Sequence, residues 1–329
     1  MSCRAPAPAL GRAMDDQLHA AGWRMTGGAV PLIAKALRDL RVRSYPLAPH
    51  SPPDASGPYP LDVRVISEAF PLDPDGVVII AGPDGREYHN PVSVSLRALG
   101  LHTEMSLAAG DADASLAGFL VQARHLRHSQ DADGGWRYPV PAVRYRVPPG
   151  WYSGMAQGLA ASVLLRAHDR TGEQSYLDAA DGAIALLLKP LREGGCAHYD
   201  ISGRPFLEEC PSDPPCHILN GGLFALIGLQ EREERSGGRA HVAATRRLAA
   251  DLGRFDTGYW SRYDLRFTAP ATMAYHSLHI SLLEVIARLS GDHAFTSTAL
   301  RWRSYLRRPA CRFRAAAGKA RFVLGAGHG

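Results

Sequence analysis

A chain of 329 residues, 46% hydrophobic and 21% charged, has the material for a large core and excludes a wholly disordered protein. Its net charge of +5 leaves a polyanionic partner open without demanding one, and lysine occurs only at Lys35, Lys189 and Lys319, so the positive charge is almost all arginine. The five cysteines, Cys3, Cys196, Cys210, Cys216 and Cys311, form no CxxC pair, which excludes a zinc ribbon and a regular disulfide framework.

Residues 1–60 carry little pattern and end in "SYPLAPHSPPDASGPYP", which reads as an arm or linker. The opening "MSCRAPAPALGRAMDD" reaches acids and arginines before any apolar run of signal-peptide length. The apolar run "GAIALLLKPL" is too short to span a bilayer, so the reading expects a cytoplasmic protein without stable membrane insertion. In 61–91, "LDVRVISEAF" and "GVVIIAGPDGREYHNP" break β-branched runs with turn residues and predict a small antiparallel β region.

From about residue 92 to 308 the apolar spacing becomes three and four, the period of a helix. Turns recur near Gly110, Gly172, Gly237 and Gly291, each with an acidic or small neighbour, so the pattern predicts repeated helical hairpins. Such hairpins must bury one face against their neighbours, and the expected fold is mainly α, an (α/α) toroid-like domain preceded by the β region. Functional groups then belong on the connections at one end. The basic tail, 309–329, reads as disordered.

Those connections are distinctive. "GWYSGMAQG" (150–158), "EECPSDPPCHILNG" (208–221), "DTGYWSRYDLR" (256–266) and "YHSLHISLL" (275–283) together resemble the C-terminal domain of the D-glucuronyl C5-epimerases, in order and at similar spacing. The resemblance implies epimerisation of glucuronate to iduronate within a heparosan-like acidic polysaccharide, with no metal and no organic cofactor. It also implies a homodimer and no nucleic-acid partner. Inverting C5 requires proton-transfer groups on the two faces of the ring and donors for a carboxylate that gains charge.

By the resemblance, Glu209 and Tyr275 are catalytic, while Asn220, Tyr263 and Arg266 hold the uronate carboxylate and ring. Tyr152, Ser153 and Gln157 add substrate contacts at a helix start, Ser153 as its N-cap. The pattern departs at Cys210, where the family has tyrosine, and at Met273-Ala274, where the animal enzymes have Trp-Asp. A thiol could stand in for the phenol if it reached the substrate. Two rival readings follow: a uronate lyase sharing the C5 carbanion, and an inactive carbohydrate-binding relative. A terpene-type cyclase draws only on "QDADGGW" and lacks an Asp-rich motif.

Other features have plainer readings. Cys210, Cys216 and His217 have no matching second ligand pair for zinc, and a Cys210–Cys216 disulfide is not expected in a chain without an export signal, which leaves a loop that positions Glu209. His276 and His279 read as one core and one surface histidine. Trp136, Trp151, Tyr259 and Trp260 suit either packing or a sugar face.

Overall fold

The computed structural model describes residues 43–49, 51–82, 85–107, 110–267 and 269–325, with side chains to 319. A short helix α1 (Arg64–Ser67) and a two-stranded antiparallel sheet, β1 (Ile80–Ala81) with β2 (Glu87–Tyr88), precede the helical part. Four helical hairpins follow: α2 (Pro91–Ser106) with α3 (Ala112–Ser129), α4 (Gly154–Thr171) with α5 (Gln174–Leu188), α6 (Leu219–Ser236) with α7 (Ala240–Phe255), and α8 (Met273–Ser290) with α9 (His293–Arg307). A last helix, α10, runs Pro309–Gly325. The fold is therefore mainly helical, with a second two-stranded sheet, β3 (Ala197–Tyr199) and β4 (Pro205–Leu207), inserted between α5 and α6.

The hairpins stack in two layers. Helices α2, α4, α6 and α8 pack on one another in sequence as an inner row, and α3, α5, α7 and α9 lie against them. Composition explains the division. Every residue of α4 from Gly154 to Ala167 and of α6 from Leu219 to Glu231 is buried, as a helix apolar or small on all sides must be. Outer α7 instead buries a stripe, Ala244, Thr245, Arg247, Leu248, Asp251, Leu252 and Phe255, at helical spacing. The predicted Gly turns fall at the hairpin ends: Gly172, Gly237 and Gly291 close α4, α6 and α8 in the left-handed conformation that ends helices cheaply only in glycine.

Two expectations change, the arm and the tail. Residues 1–42 lie outside the described residues, but 43–60 is no loose linker: Tyr45, Ala48, Ala55 and Tyr59 are buried, and Leu47 bridges Leu61. The expected small antiparallel β region is present as the β1–β2 pair, its strands two residues each, beside helix α1. The tail through Gly325 is helix α10, not a disordered end, and it docks by burying Ala315 and stacking the Arg314 guanidinium 4.0 Å over the Tyr259 ring. Among the described residues no helix is long and apolar enough to cross a membrane.

Candidate active site

Three inner helices begin at one end of the row, and the sequence motifs lie at their starts. Ser153 caps α4, its Oγ accepting from Ala156 N at 3.3 Å, and Thr272 caps α8, its Oγ1 accepting from Tyr275 N at 3.2 Å. Asn220 is the second residue of α6 and Tyr275 the third of α8. The positive ends of three helix dipoles therefore lie beside these side chains, a field that favours an anion.

The β3–β4 hairpin delivers the two acids. Glu208 N donates to Cys196 O at 2.7 Å, and Gly154 N at the start of α4 donates to Glu208 O at 2.9 Å. After β4 the chain bends at Glu209 and Cys210, and the neighbouring side chains turn to different partners. Glu209 meets α6: Asn220 Nδ2 donates to its Oε2 at 3.3 Å, and Gly221 leaves the space its side chain occupies. Glu208 turns the other way, its Oε2 accepting from His217 N at 2.9 Å and from Cys216 Sγ at 3.5 Å. Cys210 shares that side, with Cys196 and Cys216 as its electrostatic neighbours, and its carbonyl accepts from Cys216 Sγ at 3.3 Å. All three are free, buried thiols, and burial pushes the Cys216 thiol well up. Cys210 thus joins a thiol cluster beside Glu208, and the contacts do not bring it to Glu209 as a substitute base.

Glu209 is 2% exposed, and burial pushes its carboxyl up to about 8, against the lowering effect of the Asn220 hydrogen bond and with a smaller push from the charge of Asp264. Glu208 also rises to about 8 by burial. Tyr263 and Tyr275 meet edge to face at 5.0 Å, and the charge of Glu209 is among the causes, after burial, that hold the Tyr263 phenol well above its ordinary value. The structure therefore gathers Glu209, Asn220, Tyr263 and Tyr275. Arg266 lies alongside, its Nη1 donating to Pro214 O at 3.2 Å and to Tyr145 O at 3.5 Å.

Other expected residues do different work. Tyr152 OH donates to Asp131 Oδ2 at 2.6 Å and Asp133 Oδ2 at 2.9 Å, under the Arg137 guanidinium, so it fastens the "DADGGW" turn. Gln157 Nε2 donates to Gly134 O at 2.9 Å and Ala183 O at 3.3 Å, tying α4 to that turn and to α5. Trp136 is core, its Nε1 donating to Leu126 O at 3.0 Å. Both His276 and His279 are fully buried, correcting the expectation of one surface histidine, and the Nδ1 of each lies within hydrogen-bond distance of Ser261 Oγ. Trp260 is likewise buried and stacks on His276 at 3.7 Å, so it is no sugar platform.

Three residues were missed by sequence reasoning. The short 3-10 turn Val143–Tyr145 carries Arg144, whose Nη2 donates to Asp264 Oδ2 at 2.7 Å, and Tyr145, whose OH donates to the same oxygen at 3.0 Å. Asp264 is fully buried and also accepts from Phe267 N at 2.7 Å. Only the position of Asp264 inside "YDLR" could have pointed to it.

His198, Glu208 and His217 place potential ligand atoms within 4.8 Å of one another. Their polar atoms lie in a row: His217 Nδ1 is 3.2 Å from Glu208 Oε1, and its Nε2 is 3.3 Å from His198 Nδ1. The Arg247 guanidinium also lies 3.5 Å from that Nε2, which disfavours a second cation there. Burial and the neighbouring charges lower His217 to about 4, so the ring is neutral at pH 7.

Residues 130–304, which contain all of the gathered side chains, match the family described as D-glucuronyl C5-epimerase C-terminus. The chain belongs to this family. Over 213 residues it is 36% identical to a D-glucuronyl C5-epimerase of Caenorhabditis elegans, an alignment covering 57% of this chain and 34% of that protein. Over 175 residues it is 24% identical to an uncharacterized protein of Methanocaldococcus jannaschii, covering 51% of this chain and 56% of the other. The chain thus spans about a third of the nematode epimerase and just over half of the archaeal protein. Within the epimerase family match lie the caps of α4 and α8, the Glu208–Glu209 step and the tyrosine pair.

Proposed function

We propose that this chain carries the catalytic half of a glucuronyl C5-epimerase acting on uronate residues within an acidic polysaccharide of the heparosan type. The observation that carries this reading is the meeting of a buried, proton-holding carboxyl, Glu209, with the Tyr263–Tyr275 pair at the start of α6 and α8. A carboxyl raised to about 8 is near balance with its surroundings at neutral pH and can both take and return a proton. Glu209 removes the C5 proton from one face, and Tyr275 protonates the other.

The intermediate spreads negative charge onto the uronate carboxylate, where Asn220, Tyr263, Arg266 and the helix starts supply donors and positive potential. Proton removal and return exchange no electrons, so these residues suffice for the step as written. A lyase would form the same carbanion and expel the C4 oxygen. Incubation with heparosan in deuterated water separates the outcomes by NMR. Deuterium at C5 with iduronate formation supports the proposal. An unsaturated uronate, seen by its ultraviolet absorbance, would replace it with the lyase, and binding without exchange would leave an inactive carbohydrate-binding relative.

A further inference from the structure

Glu209, Asn220, Tyr263 and Tyr275 are all at most 6% exposed, yet a polymer must reach them. The segment above Asp264 is a narrow hairpin. Tyr138 and Trp151 pair at its base, with Tyr138 N donating to Trp151 O at 2.9 Å and their rings stacked at 4.2 Å. Higher up, Ala142 N donates to Val147 O at 2.9 Å and Val147 N returns the bond at 3.2 Å. Its inward side chains, Tyr138, Val140, Ala142, Tyr145 and Val147, are buried, while Pro139, Arg146, Pro148 and Pro149 face solvent. Such a two-faced strip lies on the molecule as a cover.

Its tip is fastened by polar bonds to the site as well as by its buried side chains. Arg144 and Tyr145 hold Asp264, Arg266 holds the Tyr145 carbonyl, and the Tyr145 ring leans on Phe267 at 5.8 Å. The Arg144 guanidinium also lies 5.6 Å over the ring of Tyr263. Arg146 at the tip adopts the left-handed conformation at φ 58, uncommon for a residue with a long side chain, so the turn is held in place by what it touches.

We infer that hairpin 138–151 is a flap over the site and that Arg144, latched to Asp264 while the site is empty, passes to the uronate carboxylate when the flap lifts and recloses on substrate. The inference rests on the proposed uronate chemistry. A uronate carboxylate offers the same kind of acceptor oxygen as Asp264, so the guanidinium N–H that donates to Asp264 Oδ2 can pass to it. The exchange also explains the ion pair: an arginine kept beside Tyr263 needs a counter-charge until the anion arrives.

The test has two arms. Hydrogen exchange in the substrate-free protein reads the latch: Arg144→Gln should speed exchange in residues 139–149 with the rest of the chain unchanged, and unaltered exchange would overturn the flap. Binding reads the carboxylate, with a heparosan hexasaccharide and its carboxyl-reduced form as probes. The wild type should prefer the native sugar, Arg144→Gln should erase that preference, on the order of tenfold to a hundredfold, and Arg144→Lys should keep part of it. Loss of affinity for both sugars alike would reduce Arg144 to a structural role and sink its part in the inference. If the wild type binds neither sugar, the polysaccharide reading falls and the carboxylate role with it, while the exchange arm still decides the flap.

Discussion

The carboxyl of Glu209 is poised by one dominant force, its removal from water, and the single side-chain bond from Asn220 does not undo it. A base must be ionised to act, so kcat/KM should climb with pH along a limb centred near 8, read in a pH series with heparosan. Glu209→Gln should abolish turnover while keeping the Asn220 contact, because an amide oxygen can still accept it. Tyr275→Phe should cost about a hundredfold or more in iduronate formation, the usual worth of a positioned proton donor. The neighbouring glycine makes a sharper test of placement. A methyl group at Gly221 would collide with the Glu209 carboxylate and its stem, so Gly221→Ala should lower kcat strongly without unfolding the protein, measured by circular dichroism beside turnover. Glu209 was legible because its motif is local. Arg144 and Asp264 were not, because their bond joins residues 120 apart and no periodicity links them. The sequence also showed a cysteine where a tyrosine was expected, but not that the bend after β4 sets it in the thiol cluster.

Among the elements, the hairpin repeat was readable from glycine turns and spacing, whereas the identity of inner and outer helices depended on packing partners distant in the chain. The α4–α6 crossing shows what decides it. A Cβ on Gly158 would come within 2.5 Å of Ala225 Cα, and one on Gly228 within 2.6 Å of Gly158 Cα, so the two backbones meet with no side chain between them. Gly158→Ala and Gly228→Ala should each destabilise by about 1–3 kcal/mol or more, since backbone cannot move aside as a flexible side chain can. Outer helix α7 gives the contrast. Gly253 has nothing within 4 Å of an added Cβ, so Gly253→Ala should stabilise by up to about 1 kcal/mol through helix propensity alone. Urea midpoints of the three variants decide the matter, and a stabilised Gly158→Ala would refute the close crossing. The tail was misread for a related reason: its anchor is the docking of Ala315 and Arg314 on the site end, which composition does not show.

At the scale of the whole molecule, buried titratable groups set how stability depends on pH. Burial lowers His102 to about 3 and His125, His217 and His276 to about 4, while Glu208 and Glu209 rise to about 8. Each histidine binds its proton more readily unfolded, so its contribution is present above about pH 6.5 and is lost as pH falls toward the folded value. Each raised glutamate binds its proton more readily folded, so its contribution is present below the unfolded value near 4.5 and is lost as pH rises toward 8. Between about 4.5 and 6.5 these four histidines, with His198 and His279 also lowered by burial, oppose two glutamates and the histidines win, so stability climbs with pH. Above 6.5 the unfolded histidines shed their remaining protons and the glutamates take over, so stability declines toward 8. Thermal midpoints taken from pH 4.5 to 8.5 should therefore peak at about 7 and fall on both sides. Glu209→Gln should flatten the alkaline side and raise stability at pH 8 by on the order of a few kcal/mol, because an amide pays no penalty for ionising in the core. A midpoint that keeps rising to pH 8, or a glutamine variant with an unchanged alkaline slope, would show that Glu209 is solvated and rule out the buried base on which the catalytic reading depends.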